Sequence, residues 1–321
     1  VCRRYIENRD FSSVPYWKLS VHTEKEGVSL KAVGYIDYEN EALAQTALAT
    51  LRSQSQLTVE SVARKVTHTA PPLLYDLTAL QKDANRRHGF SADKTLSIAQ
   101  SLYEKKITTY PRTGSRYISE DVFEEVPALL HKIGMSLLNP LNRHSVDNAK
   151  ITDHHAIIPT GETPSGMSAD ETTIYQMVVN RFIEAFLPDS EEERMQVQFT
   201  DGTNTFIWKA YRQITLGWKA VQKEQVADVE KKVNDDEQVL PSLPDLTEGE
   251  ILPLVSAEIT EHKTKPKPLY TEATLLSAME NAGKDVEDAE SKKAMAECGI
   301  GTPATRANII ETLILRDYIR R

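Results

Sequence analysis

The sequence predicts an α+β multidomain chain, with a β-rich part interrupted by a helical segment and followed by a second, shorter helical stretch. Three observations carry this reading. Apolar and polar residues alternate over 16–40 and again over 195–214; apolar residues recur at helical spacing between 71 and 187; and the helical pattern returns after 271. The division expected from these shifts is 1–69 with 188–262 as the β-rich part, 70–187 as a helical domain, and 263–321 as a further helical part.

The opening VCRRYIENRDF reads as a charged, helix-like stretch. YWKLSVHTEKEGVSLKAVGYIDYEN (16–40) reads as a β-hairpin around Lys25-Glu26-Gly27, because its period of two places the apolar residues on one face. Residues 55–69 form another strand-like run. After Pro71-Pro72, LLYDLTALQKDANRRHG is helical and stops at Gly89, which takes a left-handed helix end without steric cost. Ser91 caps a second helix carrying Leu96, Ile98, Ala99 and Leu102. Tyr103 is placed on its apolar side, and Lys105 and Lys106 meet its carbonyl end. A further helix follows Ser119, and another covers 170–187, with Ile174, Met177, Val178, Phe182 and Phe186 as its apolar stripe. Asp201-Gly202 turns one strand into the next. The acidic stretch 224–240 is expected to be a loop and EILPLVSAEITEH (250–262) a single strand. Lys265-Pro266-Lys267-Pro268 is extended, since proline restricts both itself and the residue before it. Thr271 starts a helix through Met279, and Gly299 and Gly301 flank a turn into a last helix from Pro303.

With 40% hydrophobic and 26% charged residues, the chain has an ordinary globular mixture, which excludes wholesale disorder. No apolar run approaches the roughly 18 residues of a membrane span, and the charged start has no signal-peptide pattern. A cytoplasmic protein with no membrane partner is expected. Two cysteines, Cys2 and Cys298, exclude a disulfide framework and a four-cysteine zinc module. The net charge of −9 argues against nucleic acid until its distribution is followed. Eleven acidic residues against Lys231 and Lys232 lie in 224–262, so that stretch sets the average. Residues 80–117 hold eight Lys or Arg against three acids. On charge alone this positive segment reads either as a solvated helix surface or as a face for phosphates.

Three stretches carry candidate chemistry. In KKITTYPRTGSRY (105–117), Pro111 biases Tyr110 away from helical backbone and leaves its phenol on a loop. Arg112, two residues on, shares a face with Tyr110 in an extended segment, and a guanidinium grips a phosphate through two donors. An ordinary phenol is a poor nucleophile at neutral pH, and nearby positive charge favours the phenolate. In DHHAIIPT (153–160), adjacent histidines face opposite sides of an extended chain, so this spacing does not make a metal pair. Asp153 can hold one imidazole cationic. In GIGTPATRANII (299–310), a glycine turn enters a helix with Thr302 and Thr305 near its free N–H groups. That suits phosphate, although the Gly-Lys-Ser/Thr ending of a P-loop is absent. Taken singly, each stretch also has a structural reading: an exposed loop tyrosine, a hydrogen-bonded loop histidine, an ordinary helix start.

Together, ITTYPRTGSRY, DHHAIIPT and GIGTPATRANIIETLILRDYI resemble, in order and spacing, the motifs of type IA DNA topoisomerases, above all the bacterial topoisomerase III group. The resemblance extends through PYWKLS, PPLLYDLTALQKDANRRHGFSADKTLSIAQSLYE and KPLYTEATLLSAMENAG. It implies a toroid to which this chain contributes the β-rich arch, a helical domain carrying the nucleophilic tyrosine, and part of a helical DNA-binding base. The implied activity is ATP-independent: single-strand cleavage through a 5′-phosphotyrosine, strand passage and religation, with relaxation and decatenation as outcomes. By the same resemblance Tyr110 is the nucleophile, Arg112 positions the scissile phosphate and His154 is the active-site histidine. Thr305 matches a position that contacts single-stranded DNA and Thr302 and Arg306 flank it; with Arg116, which by its charge assists Arg112, these are the expected DNA-binding residues. A monomer is expected, in a bacterial cytoplasm and associated with the nucleoid. Gly114 departs from the family, which commonly has Asp there. Magnesium is expected on a TOPRIM domain whose Glu and Asp-x-Asp motif do not occur in these residues, so no metal ligand is assigned in this chain. The ends read as cut, and the other reading carried forward is a catalytically incomplete fragment that binds single-stranded DNA.

Overall fold

A computed structural model describes residues 1–135, 140–223, 237–282 and 299–321. The chain divides into two compact units, one built from Ile6–Thr69 with Asp189–Lys267, the other from Val1–Tyr5, Ala70–Pro188 and Pro268–Arg321. The first boundary falls inside helix α1 (Cys2–Arg9).

The β unit is one eight-stranded sheet: β1 (Pro15–Lys25), β2 (Val28–Gly34), β3 (Gln56–Thr69), β4 (Ser190–Thr200), β5 (Thr205–Thr215), β6 (Glu237–Val239), β7 (Ile251–Pro253) and β8 (Ser256–Lys263). The strand order is β7-β3-β4-β5-β2-β1-β8; all pairs are antiparallel except β6, which adds in parallel to β5. Glu26 and Gly27, both at positive φ (53° and 78°), make the β1–β2 turn, as the sequence predicts. At the β4–β5 turn Asp201 Oδ1 accepts from the N–H groups of Thr203 and Asn204, at 2.8 and 2.6 Å. Leu19, Val21, Leu30, Ala32, Phe199, Phe206 and Trp208 are buried in one core, with Leu48 and Leu51 of helix α2 (Glu41–Arg52). The sequence reading passed over α2, although EALAQTALATLR is rich in helix formers and Asn40 caps it through the Leu43 N–H. Two other expectations need correction. The single strand over 250–262 is two strands, β7 and β8. In the acidic stretch 224–240, residues 237–239 form β6, while 224–236 lie outside the described residues.

The helical unit holds α3 (Leu77–His88), α4 (Ala92–Glu104), α5 (Glu120–Lys132), α6 (Ala169–Phe186), α8 (Glu272–Glu280) and α9 (Pro303–Leu315). A short α7 (Lys219–Lys223) belongs to the β unit. The starts expected at Ser91, Ser119 and Thr271 are in place, each accepting from a backbone N–H of the turn it precedes. Asp76 and Ser168, which the sequence did not mark, cap α3 and α6 in the same way, so α3 begins at Leu77 and not at Leu73, and Gly89 ends α3 at φ 67°. One core joins Leu80 and Ala84 of α3, Ala99 and Leu102 of α4, and Ile174, Met177 and Val178 of α6. A second joins Ala92, Leu276, Met279, Ala307 and Ile310.

Glu171 ties the start of α6 to the end of α4. It accepts from Lys105 Nζ (2.7 Å) and the Ser101 hydroxyl (2.6 Å), and completes a capping box through the Ser168 N–H (2.7 Å). The Lys105 hydrogen bond, then Ser101 and Ser168, hold its carboxyl well below the ordinary 4.5, at about 2. A carboxylate depressed in this way contributes stability that is whole above its unfolded value and is lost as pH falls through the folded one. The Tm is therefore expected to fall more steeply between pH 4.5 and 2 in the native chain than in Glu171→Gln, which keeps the cap and removes the charge. Parallel Tm-against-pH curves for the two proteins would contradict this.

Candidate active site

Helix α4 ends in a Schellman motif. Lys106 N–H donates to Tyr103 O (2.8 Å) and Ile107 N–H to Leu102 O (2.9 Å), with Lys106 in the left-handed region at φ 61°. Leu102 and Ile107, both buried, make the apolar contact that accompanies this motif and offsets a non-glycine residue at positive φ. The helix thus stops before Tyr110, and residues 107–117 leave as an irregular segment.

That segment is bound to 154–160 along its length. Thr109 N–H donates to Ile158 O (3.0 Å), Thr160 N–H to Ile107 O (3.1 Å), and Ala156 N–H to Tyr117 O (2.9 Å). Two threonine hydroxyls add to this. Thr109 Oγ1 donates to Ala156 O (3.1 Å) and accepts from Ile158 N–H (3.0 Å). Thr113 Oγ1 donates to His154 O (2.9 Å) and accepts from Ser115 N–H (3.0 Å). Leu77 N–H at the start of α3 donates to Thr113 O (3.2 Å). The sequence reading gave these threonines no role. The signal for them is weak, a short hydroxyl beside the loop proline that can bond backbone locally.

This stitching sets Tyr110 against His154, with ring centroids 4.6 Å apart at 48°. Tyr103 stands edge to face with Tyr110 at 5.3 Å and 78°. Tyr103 is 40% exposed, which corrects the expectation that it lies on the buried side of α4. Tyr110 is half-buried and Arg112 exposed; among the described residues neither the phenol nor the guanidinium holds a hydrogen bond or ion pair. His155 Nδ1 lies 2.7 Å from Ala156 O. Asp153 is exposed and pairs with neither histidine among the described residues.

The remaining candidates fall in two groups. Thr302 and Thr305 are exposed at the start of α9, where their hydroxyls lie 3.0 Å apart and Thr302 N–H donates to Thr305 Oγ1 (2.8 Å). Gly114 connects this helix start to the tyrosine segment, since a Cβ built on it would stand 3.5 Å from Pro303 Cγ. That is ordinary contact, and the backbone there is not left-handed, so packing does not require glycine at 114. Arg306 and Arg116, in contrast, are engaged internally. Arg306 is 4% exposed, donates to Thr78 Oγ1 (3.0 Å) and Ile300 O (3.3 Å), and lies 3.8 Å from Glu280. Arg116 donates to Leu74 O (3.1 Å) and Leu73 O (3.3 Å). Nearby, burial raises the Asp76 carboxyl above its ordinary value, partly countered by the Ala79 N–H and Arg116. Much of the positive segment is neutralised at home: Lys82 pairs with Glu280, Arg86 with Asp83, Lys94 with Asp170 and Lys105 with Glu171.

Among the described residues no three His, Cys, Asp or Glu side chains are grouped to hold a metal ion, and no helix is long and apolar enough to cross a membrane. A half-buried tyrosine against a histidine, with an uncommitted arginine two residues on and hydroxyls at a neighbouring helix start, can attack and hold a phosphodiester.

Comparisons with known proteins give the family. A family model described as DNA topoisomerase matches residues 1–321. DNA topoisomerase 3 of Shouchella clausii is 36% identical over 334 residues, covering 98% of this chain and 44% of the relative. DNA topoisomerase 3 of Bacillus cereus is 38% identical over 273 residues, covering 80% and 37%. The chain thus spans less than half the length of these curated relatives. Among solved structures, full-length topoisomerase I from Thermotoga maritima superposes with a TM-score of 0.72 at 26% identity, over 100% of this chain and 50% of that one. A sheet-and-helix fold, a tyrosine–histidine pair on stitched segments and these matches make the chain a member of the type IA DNA topoisomerase family, in the company of bacterial topoisomerases III.

Proposed function

We propose that this chain is the tyrosine-bearing part of a topoisomerase that cleaves one strand of DNA, passes another through the break and religates it. Residues 1–69 and 188–262 act as the arch, 70–187 as the domain of the nucleophile, and 263–321 as part of the DNA-binding base. The observation that carries the reading is the Tyr110–His154 pair beside an exposed, uncommitted Arg112. In the forward step Tyr110 Oη gives its proton to solvent water and bonds to phosphorus. The bond from phosphorus to O3′ of the upstream sugar breaks, and that oxygen takes a proton from solvent and leaves as a free 3′-hydroxyl, so the phosphate stays joined to the 5′ carbon of the downstream strand and to Tyr110. Arg112 offsets the charge that grows on the non-bridging oxygens, and His154 holds the phenol ring and offers a ring nitrogen to the phosphate. The phosphotyrosine preserves the bond energy, so religation is the same step reversed and needs no nucleotide cofactor.

Thr302 and Thr305 then contact the strand beside the break, while Arg116 and Arg306 serve by bracing the segments around it. Magnesium would be held by a TOPRIM domain and would supply charge to the phosphate; among the described residues no three His, Cys, Asp or Glu side chains are grouped to hold it.

Arg112→Lys is expected to lower cleavage of labelled single-stranded DNA by about 10²-fold while changing affinity only a few-fold, because lysine keeps the charge and loses the planar fork. Weakened affinity with unchanged cleavage of bound DNA would remove Arg112 from the phosphate.

A further inference from the structure

Helix α4 carries one aromatic side chain that packing does not explain. Leu96, Ala99 and Leu102 are buried on it, whereas Tyr103 keeps 40% of its surface in water. Its hydroxyl holds no hydrogen bond among the described residues. Its one aromatic neighbour is Tyr110, at 5.3 Å and 78°, and Tyr110 in turn has His154 at 4.6 Å. Lys106 and Arg112, near Tyr103 and Tyr110 in sequence, are exposed, and among the described residues their side chains pair with nothing. An exposed ring that contacts a nucleophile, with uncommitted cations close by in the chain, has the components of a single-strand contact: an aromatic face for a base and charges for the phosphates on either side.

We propose that Tyr103 is a stacking platform for a nucleobase flanking the phosphate that Tyr110 attacks. The inference rests on the reading of Tyr110 as the nucleophile. A base is joined to its own phosphate through one sugar, so a phosphate at the Tyr110 hydroxyl brings a neighbouring base within reach of a ring 5.3 Å from that of Tyr110. Every base has a π face, so the contact tolerates sequence and adds affinity without base readout. It also restrains the strand on one side of the break, where a nucleophile alone leaves the sugar free to rotate.

The test uses fluorescence anisotropy at low salt with two labelled oligodeoxynucleotides of equal length, one carrying bases and one fully abasic. Tyr103→Ala is expected to weaken binding of the base-bearing strand about tenfold and to leave the abasic strand within about twofold. Tyr103→Leu keeps an apolar side chain against Tyr110 and lacks the aromatic face, so it is expected to follow alanine; Tyr103→Phe is expected to follow the native chain. Circular dichroism melts confirm folding of each variant. Equal loss on both strands would make Tyr103 a structural residue, and no loss on the base-bearing strand would end the proposal. The covalent-adduct assay reports separately on Tyr110. An adduct that persists in Tyr110→Phe overturns the nucleophile assignment, whereas an equal loss on both strands, or no loss on the base-bearing strand, in the Tyr103 variants overturns the platform alone.

Discussion

Replacing Tyr110 by Phe is expected to reduce covalent attachment to end-labelled single-stranded DNA to background and to leave the fold intact. The variant loses one oxygen, and that oxygen holds no hydrogen bond among the described residues, so no buried partner is orphaned. The ring contacts with Tyr103 and His154 are available to phenylalanine, so Tm and binding of uncleaved DNA are expected to stay near native values. The chemistry has no substitute, because the bond that conserves the phosphodiester energy forms at that oxygen. The measurement is the adduct retained after denaturation, with magnesium present, in a polypeptide of the relatives' full length. An adduct of native yield would move the nucleophile to another residue, with Tyr103 and Tyr117 the nearest in sequence.

Arg181→Met is expected to destabilise the helical unit by about 3–5 kcal/mol, the usual cost of removing one partner from a buried ion pair. Arg181 sits in α6 with its side chain 8% exposed. It reaches Asp83 (2.9 Å), Glu184 (3.2 Å) and Leu73 O (3.2 Å), and covers the Tyr75 ring at 4.1 Å. The Tyr75 hydroxyl donates to the same Asp83 carboxylate at 3.0 Å, and burial keeps that phenol protonated well above the usual range. Without Arg181, the Glu184 carboxylate, 2% exposed, loses that ion pair where water does not reach easily, while Asp83 keeps Tyr75 and Arg86. The double variant Arg181→Met, Glu184→Leu is expected to recover much of the loss, since an apolar pair of similar volume replaces a broken ionic one. Urea midpoints for the three proteins decide the point. A loss below about 1 kcal/mol in the single variant would show that the network contributes little to stability.

The network bears on the site through the backbone. Leu73 O accepts from both Arg181 and Arg116, and Tyr75 O accepts from Ile157 N–H, so residues 73–75 lie between α6 and the segment that carries His154. None of this is legible in one sequence. Arg116 suits a phosphate as a guanidinium beside the tyrosine loop, and Arg306 is expected at the strand because the family resemblance puts it next to Thr305. In the fold Arg116 donates to the Leu73 and Leu74 carbonyls and Arg306 to Thr78 and the Ile300 carbonyl, because a buried polar group without a partner is costly.

What the residues settle by themselves is local. Ser91, Ser119 and Thr271 begin helices and Gly89 ends one, because a cap bonds to N–H groups two or three residues away and a left-handed helix end needs only the residue that adopts it. Pro111 likewise puts Tyr110 on a loop whatever surrounds it. Partners distant in sequence were left to the tertiary structure. Helical periodicity names an apolar side but not what covers each position, so Tyr103 read as buried and stands exposed. Alternation marks strands but not their order, so neither the place of β3 between β7 and β4 nor the pairing of β6 with β5 could be seen in advance. The meeting of Tyr110 with His154 depends on the Thr109 and Thr113 hydroxyls finding carbonyls in the second segment, and on the buried cores that hold the two segments in register. Caps and turns cost the chain little entropy to close, whereas contacts between distant segments form only when a whole core repays the ordering of the chain between them.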